Sequence, residues 1–409
     1  MKKVKFFIDD IPVEGSQDES IWTVAKRYGT TLPHLCYSDK PGYRADGNCR
    51  ACMVSVEGER VLAASCIRTP SEGMKVYTKD ERSSKSREMV IELLVTDQPK
   101  KEICHDPDSH FWQMADKVNV KKSRFDKRNP ETIPEADNSH VAMSVNLDAC
   151  INCNLCVRAC REVQVNDVIG MGNRGHTSQV IFDFNDPMGD STCVSCGECV
   201  QACPTGALME SNLLDEKGKK VVKPDRKVDS LCPYCGVGCQ LTYNIKGEKI
   251  VSVDGRDGPA NNNRLCVKGR FGFDYIHNPE RLTKPLIRKD GIPKDPKERI
   301  DPLNPLSHFR EATWDEALDL AASKLLKIRD SKNGKKALAG FGCAKGSNEE
   351  AYLFQKLVRT GFHNNNVDHC TRMCHASSVA ALMEAIGTGA VTAPVSEVKN
   401  AEVAILIGC

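Results

Sequence analysis

Several features that would assign this sequence to a common class of protein are missing from it. No run approaches eighteen apolar residues, so no membrane-spanning helix is predicted. The opening MKKVKFFIDDIPVEG turns acidic after eight residues, which predicts neither a secretory nor a twin-arginine signal and favours the cytoplasm. The 57 basic and 55 acidic residues leave a net charge of only +2. That balance argues against a nucleic-acid-binding surface.

Cysteine, by contrast, is abundant, at 21 of 409 residues. In a reducing cytoplasm these thiols are not expected to form disulfides, and cysteines there usually bind metal or carry out redox chemistry. Sixteen of the cysteines fall into four groups along the chain. The spacing within each group therefore indicates which metal it suits.

The first group lies in residues 1–80 and consists of Cys36, Cys49, Cys52 and Cys66. A hairpin at 4–14, a helix ending at Gly29, a second hairpin around Gly58 and a strand at 74–78 are predicted around it. This pattern resembles the β-grasp fold of [2Fe–2S] ferredoxins. The cysteine loop is longer than the plant-type spacing. It resembles instead the N-terminus of the large iron–sulfur subunit of respiratory complex I and its relatives. A zinc knuckle is the alternative.

The second and third groups share residues 141–210, and each has the spacing C-x2-C-x2-C-x3-C. That doubled run is typical of bacterial two-cluster ferredoxins, in which the fourth cysteine of each run binds the other [4Fe–4S] cluster. Zinc is again the alternative. Arg161 stands where proline is usual. The predicted ligand sets are Cys150, Cys153 and Cys156 with Cys203, and Cys193, Cys196 and Cys199 with Cys160.

A mostly helical connecting segment is predicted at 81–140. Relatives of complex I often hold a further cluster here, bound by one histidine and three cysteines. This segment offers only Cys104, His105 and His110 in the corresponding stretch, too few for such a site. We therefore predict no histidine-containing cluster, with both histidines as structural or surface residues.

The fourth group follows a polar linker at 211–230 and lies in residues 231–285. It consists of Cys232, Cys235, Cys239 and Cys266, and its last member opens the sequence C-V-K-G. It resembles the [4Fe–4S] domain that begins the catalytic subunits of molybdenum or tungsten bis-pterin oxidoreductases. These include formate dehydrogenases and periplasmic-type nitrate reductases. The resemblance implies that Lys268 contacts a pterin and relays electrons; an ordinary surface lysine is the alternative.

Residues 286–409 are predicted to begin a parallel α/β domain. Thr313 with Glu316, and Ser347 with Glu350, have the spacing of capping boxes, and the second helix is predicted to end at Gly361. The segments ALAGFG and AEVAILIGC have the apolar character of buried parallel strands. Such sheets bind ligands at the carboxyl ends of their strands. The resemblance implies a pterin dinucleotide there, although 286–409 contain no G-x-G-x-x-G motif.

The segment NNNVDHCTRMCHASSV resembles the metal-binding motif of formate dehydrogenases. The resemblance implies that Cys374 binds the metal and that His375 acts beside it. A thiolate suits a soft metal site, and an imidazole can accept a proton near neutral pH. Cys370 corresponds to a family cysteine that is not a ligand, and both it and Cys343 are predicted to be buried. A thiol pair or buried small residues are the alternatives for Cys374.

The order of these groups resembles the alpha, catalytic subunit of cytoplasmic NAD-dependent formate dehydrogenases of the molybdenum or tungsten bis-pterin class. The resemblance implies an α+β multidomain chain with one [2Fe–2S] cluster and three [4Fe–4S] clusters. It further implies a metal held by bis-pterin guanine dinucleotide. Formate would be oxidised to carbon dioxide. Electrons would pass to a partner subunit carrying FMN and NAD, and a further [2Fe–2S] subunit is allowed.

Family members continue well beyond the position of Cys409, so we expect the chain to be truncated and its catalytic part incomplete. Two alternatives stay open at this point. One is an electron-transfer iron–sulfur subunit without catalysis of its own. The other is a bis-pterin oxidoreductase for another substrate, although VDHCTRMCH favours formate over nitrate.

Overall fold

The computed structural model describes residues 3–127, 133–295, 297–390 and 392–407, apart from the side chain of His176. The chain divides into two compact units. The first comprises Met1–Cys232 with Cys239–Gly272, and the second comprises Pro233–Gly238 with Phe273–Cys409. No described helix combines the length and the apolar character that crossing a membrane requires.

The first unit opens with a five-stranded sheet and one helix. Val4, Phe6 and Ile8 alternate with exposed residues along the first strand and point into the core. The sharp turn after it is made by Asp9 and Asp10, which both have positive φ, at 48° and 62°. Both predicted hairpins, the helix and the last strand are confirmed. The elements are β1 (Lys3–Ile8), β2 (Ile11–Ser16), α1 (Ile21–Arg27), β3 (Met53–Val56), β4 (Ala63–Ala64) and β5 (Lys75–Tyr77), in the sheet order β2-β1-β5-β3-β4.

Two helices follow, α2 (Glu81–Thr96) and α3 (His110–Lys117). Asp80 and Ser109 cap them by accepting from backbone amides of the first turn. The prediction that 81–140 is mostly helical is therefore only partly correct. Between α3 and residue 140, the described residues contain no further helix. Two prolines interrupt the stretch between α2 and α3, and the lysine-rich stretch after α3 has no helical apolar periodicity.

The doubled cysteine runs lie in a small domain of two strand pairs and two short helices. Met143, Val145, Ile169 and Phe182 are buried between them, together with cysteine side chains. The elements are β6 (Met143–Val145), α4 (Leu155–Arg158), β7 (Ile169–Gly172), β8 (Gln179–Phe182), α5 (Glu198–Ala202) and β9 (Leu208–Glu210). β6 pairs with β9 and β7 pairs with β8, both antiparallel.

A three-stranded antiparallel meander completes the first unit. It consists of β10 (Arg226–Leu231), β11 (Gln240–Lys246) and β12 (Lys249–Gly255), and α6 (Val267–Phe271) follows it. β10 begins inside the stretch 211–230 that was predicted to be a linker. All six residues of β10 pair with residues 240–245 of β11, so that stretch is partly ordered by backbone hydrogen bonding rather than by an apolar pattern.

The second unit contains a strand pair, β13 (Leu286–Arg288) with β14 (Phe309–Glu311), and an α/β arrangement after it. Its elements are α7 (Trp314–Arg329), β15 (Gly340–Gly342), α8 (Asn348–Lys356), β16 (Val367–His369), α9 (Thr371–Cys374) and α10 (Ala376–Ile386). β15 and β16 are parallel, with Gly340 opposite Val367. The predicted capping box is confirmed at Ser347 and Glu350. At Thr313 only half of the predicted box forms, because the hydroxyl accepts from the Glu316 amide while the Glu316 carboxylate pairs with Arg310. A π-helical turn carries α8 on to Gly361.

The apolar run AEVAILIGC does not form the predicted strand in its described part, 401–407, and its last two residues lie outside the described residues. The reason is that a strand needs a hydrogen-bonded neighbour. No described residue pairs with this segment, and Ile405 and Ile407 remain 82% and 87% exposed.

Candidate functional site

The four cysteines of the first group meet beside the five-stranded sheet. The backbone amide of Cys49 donates to the sulfur of Cys36 at 3.4 Å. Cys52 is linked to the segment of Cys66 by Ser65, whose hydroxyl and amide both donate to the Cys52 carbonyl, at 2.8 and 3.2 Å. Three of the four side chains are almost fully buried, and Cys49 is partly buried. A long loop is thus folded back so that four thiols share one apolar region.

These thiols are close enough to change one another's acidity. Hydrogen bonds from Cys49 and Cys66 lower the pKa of Cys36 to about 2, and a hydrogen bond from Cys66 lowers the pKa of Cys52 to about 7. The pKa values of Cys49 and Cys66 rise in return, because each shares its proton with a neighbouring sulfur. Four sulfurs that interact this closely suit a shared iron centre, whose positive charge would compensate the negative charge of thiolates.

The two loops of the ferredoxin-like domain have the same unusual backbone. Asn152 and Asn154 in the first loop and Ser195 and Gly197 in the second all have positive φ, between 50° and 68°. This conformation turns amide groups toward sulfur. Asn152 donates to the sulfur of Cys150 at 3.4 Å, and Ser195 does the same to the first cysteine of its loop at 3.4 Å. Such N–H···S bonds stabilise the thiolates that hold a cluster.

The cysteines of these loops separate into two sets across the domain. One cavity is lined by all four members of the first predicted set, Cys150, Cys153, Cys156 and Cys203. In the second set, the pKa of Cys199 is raised well above its usual value. Burial is the main cause, and the negative charges of the other three members, Cys196, Cys193 and Cys160, add to it. The fold therefore brings the fourth cysteine of each run beside the other run's first three.

Among the described residues, no three His, Cys, Asp or Glu side chains converge closely enough to hold a single bare metal ion. In iron–sulfur clusters the cysteines share a cluster of several irons and need not meet at one atom. Four-cysteine sets with amides directed at sulfur fit such clusters. A thiolate-only donor set also matches iron–sulfur chemistry.

The fourth group is divided between the two units. In the first unit, the amide of Cys232 donates to the carbonyl of Cys239 at 2.9 Å. α6 packs beside this cysteine, since a Cβ built on Gly269 would lie 3.5 Å from the Cys232 sulfur, in ordinary contact. Cys239 and Cys266 line a cavity of about 430 Å³ that Cys196 of the second ferredoxin loop also lines.

Cys235 belongs to the second unit, where it is exposed and its carbonyl accepts from Gly238 at 3.4 Å. Lys268 lies in the first turn of α6, two residues after the cap residue Cys266, and its side chain is exposed. Its carbonyl accepts from Gly272 at 2.9 Å, which closes the helix. The backbone of Lys268 is thus fixed close to Cys266 by the first turn of a short helix.

The predicted metal ligand of the second unit lies in the short helix α9 that follows β16. Cys374 ends α9 and His375 comes next, and both are exposed. The amide of His375 donates to Thr371 at 2.9 Å, so the motif is built on one helical turn. Because β15 and β16 are parallel, their carboxyl ends meet at one edge, and a cavity of about 530 Å³ opens there. Gly342, Glu350 and His369 are among its lining residues.

Two predictions about cysteine burial are wrong. Cys343 and Cys370 are both exposed, not buried. The physical reason is their position, since Cys343 directly follows β15 and Cys370 directly follows β16, at the edge where the cavity opens. The sulfur of Cys370 lies 3.8 Å from Nδ1 of His369.

The histidines between the first two cysteine groups have structural partners. Nδ1 of His105 hydrogen-bonds with the Gly218 carbonyl at 2.7 Å, and its Nε2 with Asp148 at 2.8 Å. His110 hydrogen-bonds through Nε2 with the His34 carbonyl at 2.8 Å. Both histidines therefore tie segments of the first unit together.

Sequence reasoning missed two buried arginines, Arg158 and Arg270, which are 2% and 1% exposed. Both donate to backbone carbonyls of cysteines in the predicted ligand sets. The only signal available was an arginine inside each short helix next to a cysteine run, which ordinarily indicates a solvent-exposed position.

Four family models match the chain in the order in which the cysteine groups occur. Residues 1–81 match the 2Fe-2S iron-sulfur cluster binding domain, and 149–207 match the 4Fe-4S dicluster domain. Residues 225–278 match the molybdopterin oxidoreductase Fe4S4 domain, and 281–409 match the molybdopterin oxidoreductase domain. The chain carries iron–sulfur and molybdopterin oxidoreductase domains. The resemblance drawn from the sequence is confirmed at this level.

Two curated relatives resemble nearly all of this chain. A Bacillus subtilis protein named "Probable oxidoreductase YjgC" is 29% identical over 442 residues, covering 98% of this chain and 42% of its own length. A Staphylococcus haemolyticus protein named "Putative formate dehydrogenase" is 30% identical over 428 residues, covering 95% of this chain and 41% of its own length. The chain thus spans about two fifths of the curated relatives it matches.

A solved structure of an NAD+-reducing [NiFe]-hydrogenase in the H2-reduced state is similar over 51% of this chain and 87% of its own. The two are 25% identical, with a TM-score of 0.45, a likeness that carries no argument about function.

Proposed function

We propose that this chain is the alpha subunit of a formate dehydrogenase. Formate would be oxidised to carbon dioxide at a molybdenum or tungsten bis-pterin centre, and electrons would leave through the iron–sulfur clusters. The observation that carries the proposal is the pair Cys374–His375, which follows the carboxyl end of β16 in a molybdopterin oxidoreductase domain. The names of the staphylococcal relatives support the choice of substrate.

The residues of the second unit fit this chemistry. Cys374 would supply a soft thiolate to the metal, as the donor preferences of such metals require. The metal–pterin centre, when bound, supplies a two-electron acceptor. Oxidation of formate gives carbon dioxide, one proton and two electrons. His375, the next residue in the chain, would take up that proton on its imidazole ring.

The four cysteine groups supply the ligands for electron transfer. We assign the [2Fe–2S] cluster to Cys36, Cys49, Cys52 and Cys66, two [4Fe–4S] clusters to the crossed sets of the ferredoxin-like domain, and a third to Cys232, Cys235, Cys239 and Cys266. Lys268 would relay electrons between the third cluster and a pterin. The cavity shared by Cys196, Cys239 and Cys266 supports transfer between the second and third [4Fe–4S] clusters.

The acceptor lies outside this chain in our proposal. A partner subunit carrying FMN, NAD and iron–sulfur clusters would receive the electrons in the cytoplasm, and a further [2Fe–2S] subunit is compatible with the arrangement. Formate and carbon dioxide would be the small molecules exchanged.

Paired cysteine variants test the proposal in the assembled enzyme. Cys374→Ala should abolish formate-dependent dye reduction, because a methyl group cannot bind the metal, while iron content stays near normal. Cys370→Ala is the matched control: it is equally exposed, lies in the same turn and should retain most activity.

Molybdenum, tungsten and iron are measured in both variants. Equal loss of activity and of metal in the two variants would contradict the assignment of Cys374. A wild-type enzyme whose clusters are reduced by NADH but never by formate would instead favour an electron-transfer role or another substrate.

A further inference from the structure

Arg158 lies buried between two cysteine loops of the first unit, with 2% of its surface exposed. Its Nη2 donates to the carbonyl of Cys36 at 2.6 Å and to the carbonyl of Cys153 at 3.4 Å. Cys36 belongs to the group assigned to the [2Fe–2S] cluster, and Cys153 to a [4Fe–4S] set. One guanidinium group thus bridges ligand residues of two different clusters.

The remaining nitrogens of Arg158 hold the side chain in place. Nε lies 3.2 Å from a carboxylate oxygen of Asp46 and donates to the carbonyl of Asn154 at 3.3 Å, while Nη1 donates to the carbonyl of Arg44. A planar guanidinium can serve all these acceptors at once. A lysine ammonium could not reproduce the same planar set of hydrogen bonds.

The two loops pack directly against each other at this point. Cys36, Cys153 and Leu155 form one buried apolar cluster, with Cys49 and Ile151 against it. The two cluster sites are therefore in contact through these side chains, and Cys49 and Cys153 also line a common cavity of about 260 Å³.

A buried positive charge also acts on both sites. An arginine side chain stays protonated in proteins, so Arg158 is a permanent cation. Each electron that enters a cluster adds negative charge, and a nearby cation stabilises that charge more strongly inside a protein than in water. Asp46 balances the charge from one side only, and its side chain is 13% exposed.

The second ferredoxin loop repeats part of this arrangement. Gln201 stands two residues after Cys199, as Arg158 stands two residues after Cys156. Gln201 accepts from Nη1 of Arg270 at 2.6 Å, and Nε of Arg270 donates to the carbonyl of Cys196 at 3.3 Å. A buried guanidinium therefore contacts a ligand carbonyl in each loop.

We propose that Arg158 is a positioning residue for electron transfer between the [2Fe–2S] cluster of Cys36 and the [4Fe–4S] cluster of Cys153. It fixes the two ligand loops against each other, and its charge favours the reduced state of both clusters. One cluster loses one electron and the other gains it, with no bond made or broken and no proton moved. The inference rests on the cluster assignment proposed above, and it is independent of the substrate.

Three variants of the full chain, with clusters loaded under anaerobic conditions, test this role. Arg158→Met removes both the charge and the hydrogen bonds of the guanidinium. Arg158→Lys keeps the charge but not the planar set of hydrogen bonds, and Arg27→Met is the control. Arg27 makes an ion pair with Glu19 at 2.5 Å and donates to the Glu14 carbonyl at 3.0 Å, but its side chain is 47% exposed.

Redox titration followed by EPR gives the potentials, and rapid freezing gives the rate of exchange between the two clusters. Arg158→Met should make reduction of both clusters at least tenfold less favourable, about 59 mV for a one-electron couple, and should slow exchange at least tenfold. Arg158→Lys should keep potentials near wild type but slow exchange. Arg27→Met should change neither.

Unchanged potentials in Arg158→Met, with iron content normal, would overturn the electrostatic role. If Arg158→Met fails to hold iron, the test rests on Arg158→Lys. A wild-type rate of electron exchange between the two clusters in Arg158→Lys would overturn the positioning role. Wild-type protein without a [2Fe–2S] signal would overturn the cluster assignment and this inference with it. An enzyme that holds its clusters but does not oxidise formate would affect only the proposed substrate.

Discussion

The buried ion pair between Arg270 and Glu198 offers a direct test of what holds the first unit together. Both side chains are 1% exposed, and Nη2 of Arg270 lies 3.4 Å from Oε2 of Glu198. The hydroxyl of Tyr43 donates to Oε1 of the same carboxylate at 2.9 Å. Tyr43 comes from the loop between Cys36 and Cys49, Glu198 from the second ferredoxin loop, and Arg270 from α6.

Replacing Arg270 with methionine removes the cation that forms an ion pair with that carboxylate, while the charges of Lys40 and Arg264 still act on it. It also removes donors to Gln201 at 2.6 Å and to the Val253 carbonyl at 2.8 Å. The burial of Glu198 raises the pKa of its carboxyl, and the charge of Arg270 opposes that rise. Without Arg270 the folded protein must hold a buried carboxylate or bind a proton there.

Breaking a buried pair by removing one partner costs about 3–5 kcal/mol. For a folded unit of this size, 1 kcal/mol corresponds to a change in Tm of about 2–4 °C. Arg270→Met should therefore lower the apparent Tm by roughly 6–20 °C. The double variant Glu198→Gln with Arg270→Met should be less destabilised than Arg270→Met alone, because no charge is left unpaired.

The assay is thermal unfolding of the cluster-loaded chain under anaerobic conditions, followed by circular dichroism at one scan rate. Arg124→Met is the matched control, since Arg124 pairs with Glu92 at 3.3 Å while its side chain is 59% exposed. An exposed pair contributes about 1 kcal/mol at most. If Arg270→Met and Arg124→Met shift Tm equally, the buried network does not stabilise the junction as argued.

Two further predictions concern residues of the first unit, His105 and Cys52. Burial lowers the pKa of His105, but the hydrogen bond and charge of Asp148 outweigh it, and the net pKa is raised. The His105–Asp148 pair therefore stabilises the fold at pH values below the pKa that His105 has in the unfolded chain. This stabilisation is lost as the pH rises through the higher pKa that His105 has in the folded protein. His105→Gln should therefore lower Tm more at about pH 6 than at about pH 9, and an equal loss at both would contradict the pairing. Cys52→Ser should remove the [2Fe–2S] EPR signal and leave the [4Fe–4S] signals, and loss of all signals together would argue against separate sites.

Local features of this protein could be predicted from its sequence because local chemistry determines them. The Asp9–Asp10 turn, the helix capped by Ser347 and the doubled cysteine runs each depend on residues a few positions apart. Backbone conformation and spacing then leave few alternatives. The same reasoning carried the resemblance to molybdopterin oxidoreductases, which the family models confirm.

The sequence was less informative where distant partners decide the outcome. Residues 226–230 were predicted to be linker and form most of a strand because β11 supplies their hydrogen bonds. The apolar residues 403–407 were predicted to be a strand and are not, because no described residue pairs with them. In both cases the sequence showed the local pattern but not whether a neighbouring strand would pair with it.

The cysteine motifs alone determined which residues are candidate ligands and in what order they occur. Only the tertiary structure decided what surrounds them. Arg158 lies 122 positions from Cys36 along the chain, and Arg270 lies 72 positions from Glu198, yet each pair is in direct contact and buried. A charged side chain is ordinarily placed in solvent by sequence reasoning. It becomes a buried bridge only when folding brings carbonyl and carboxylate acceptors from separate segments around it.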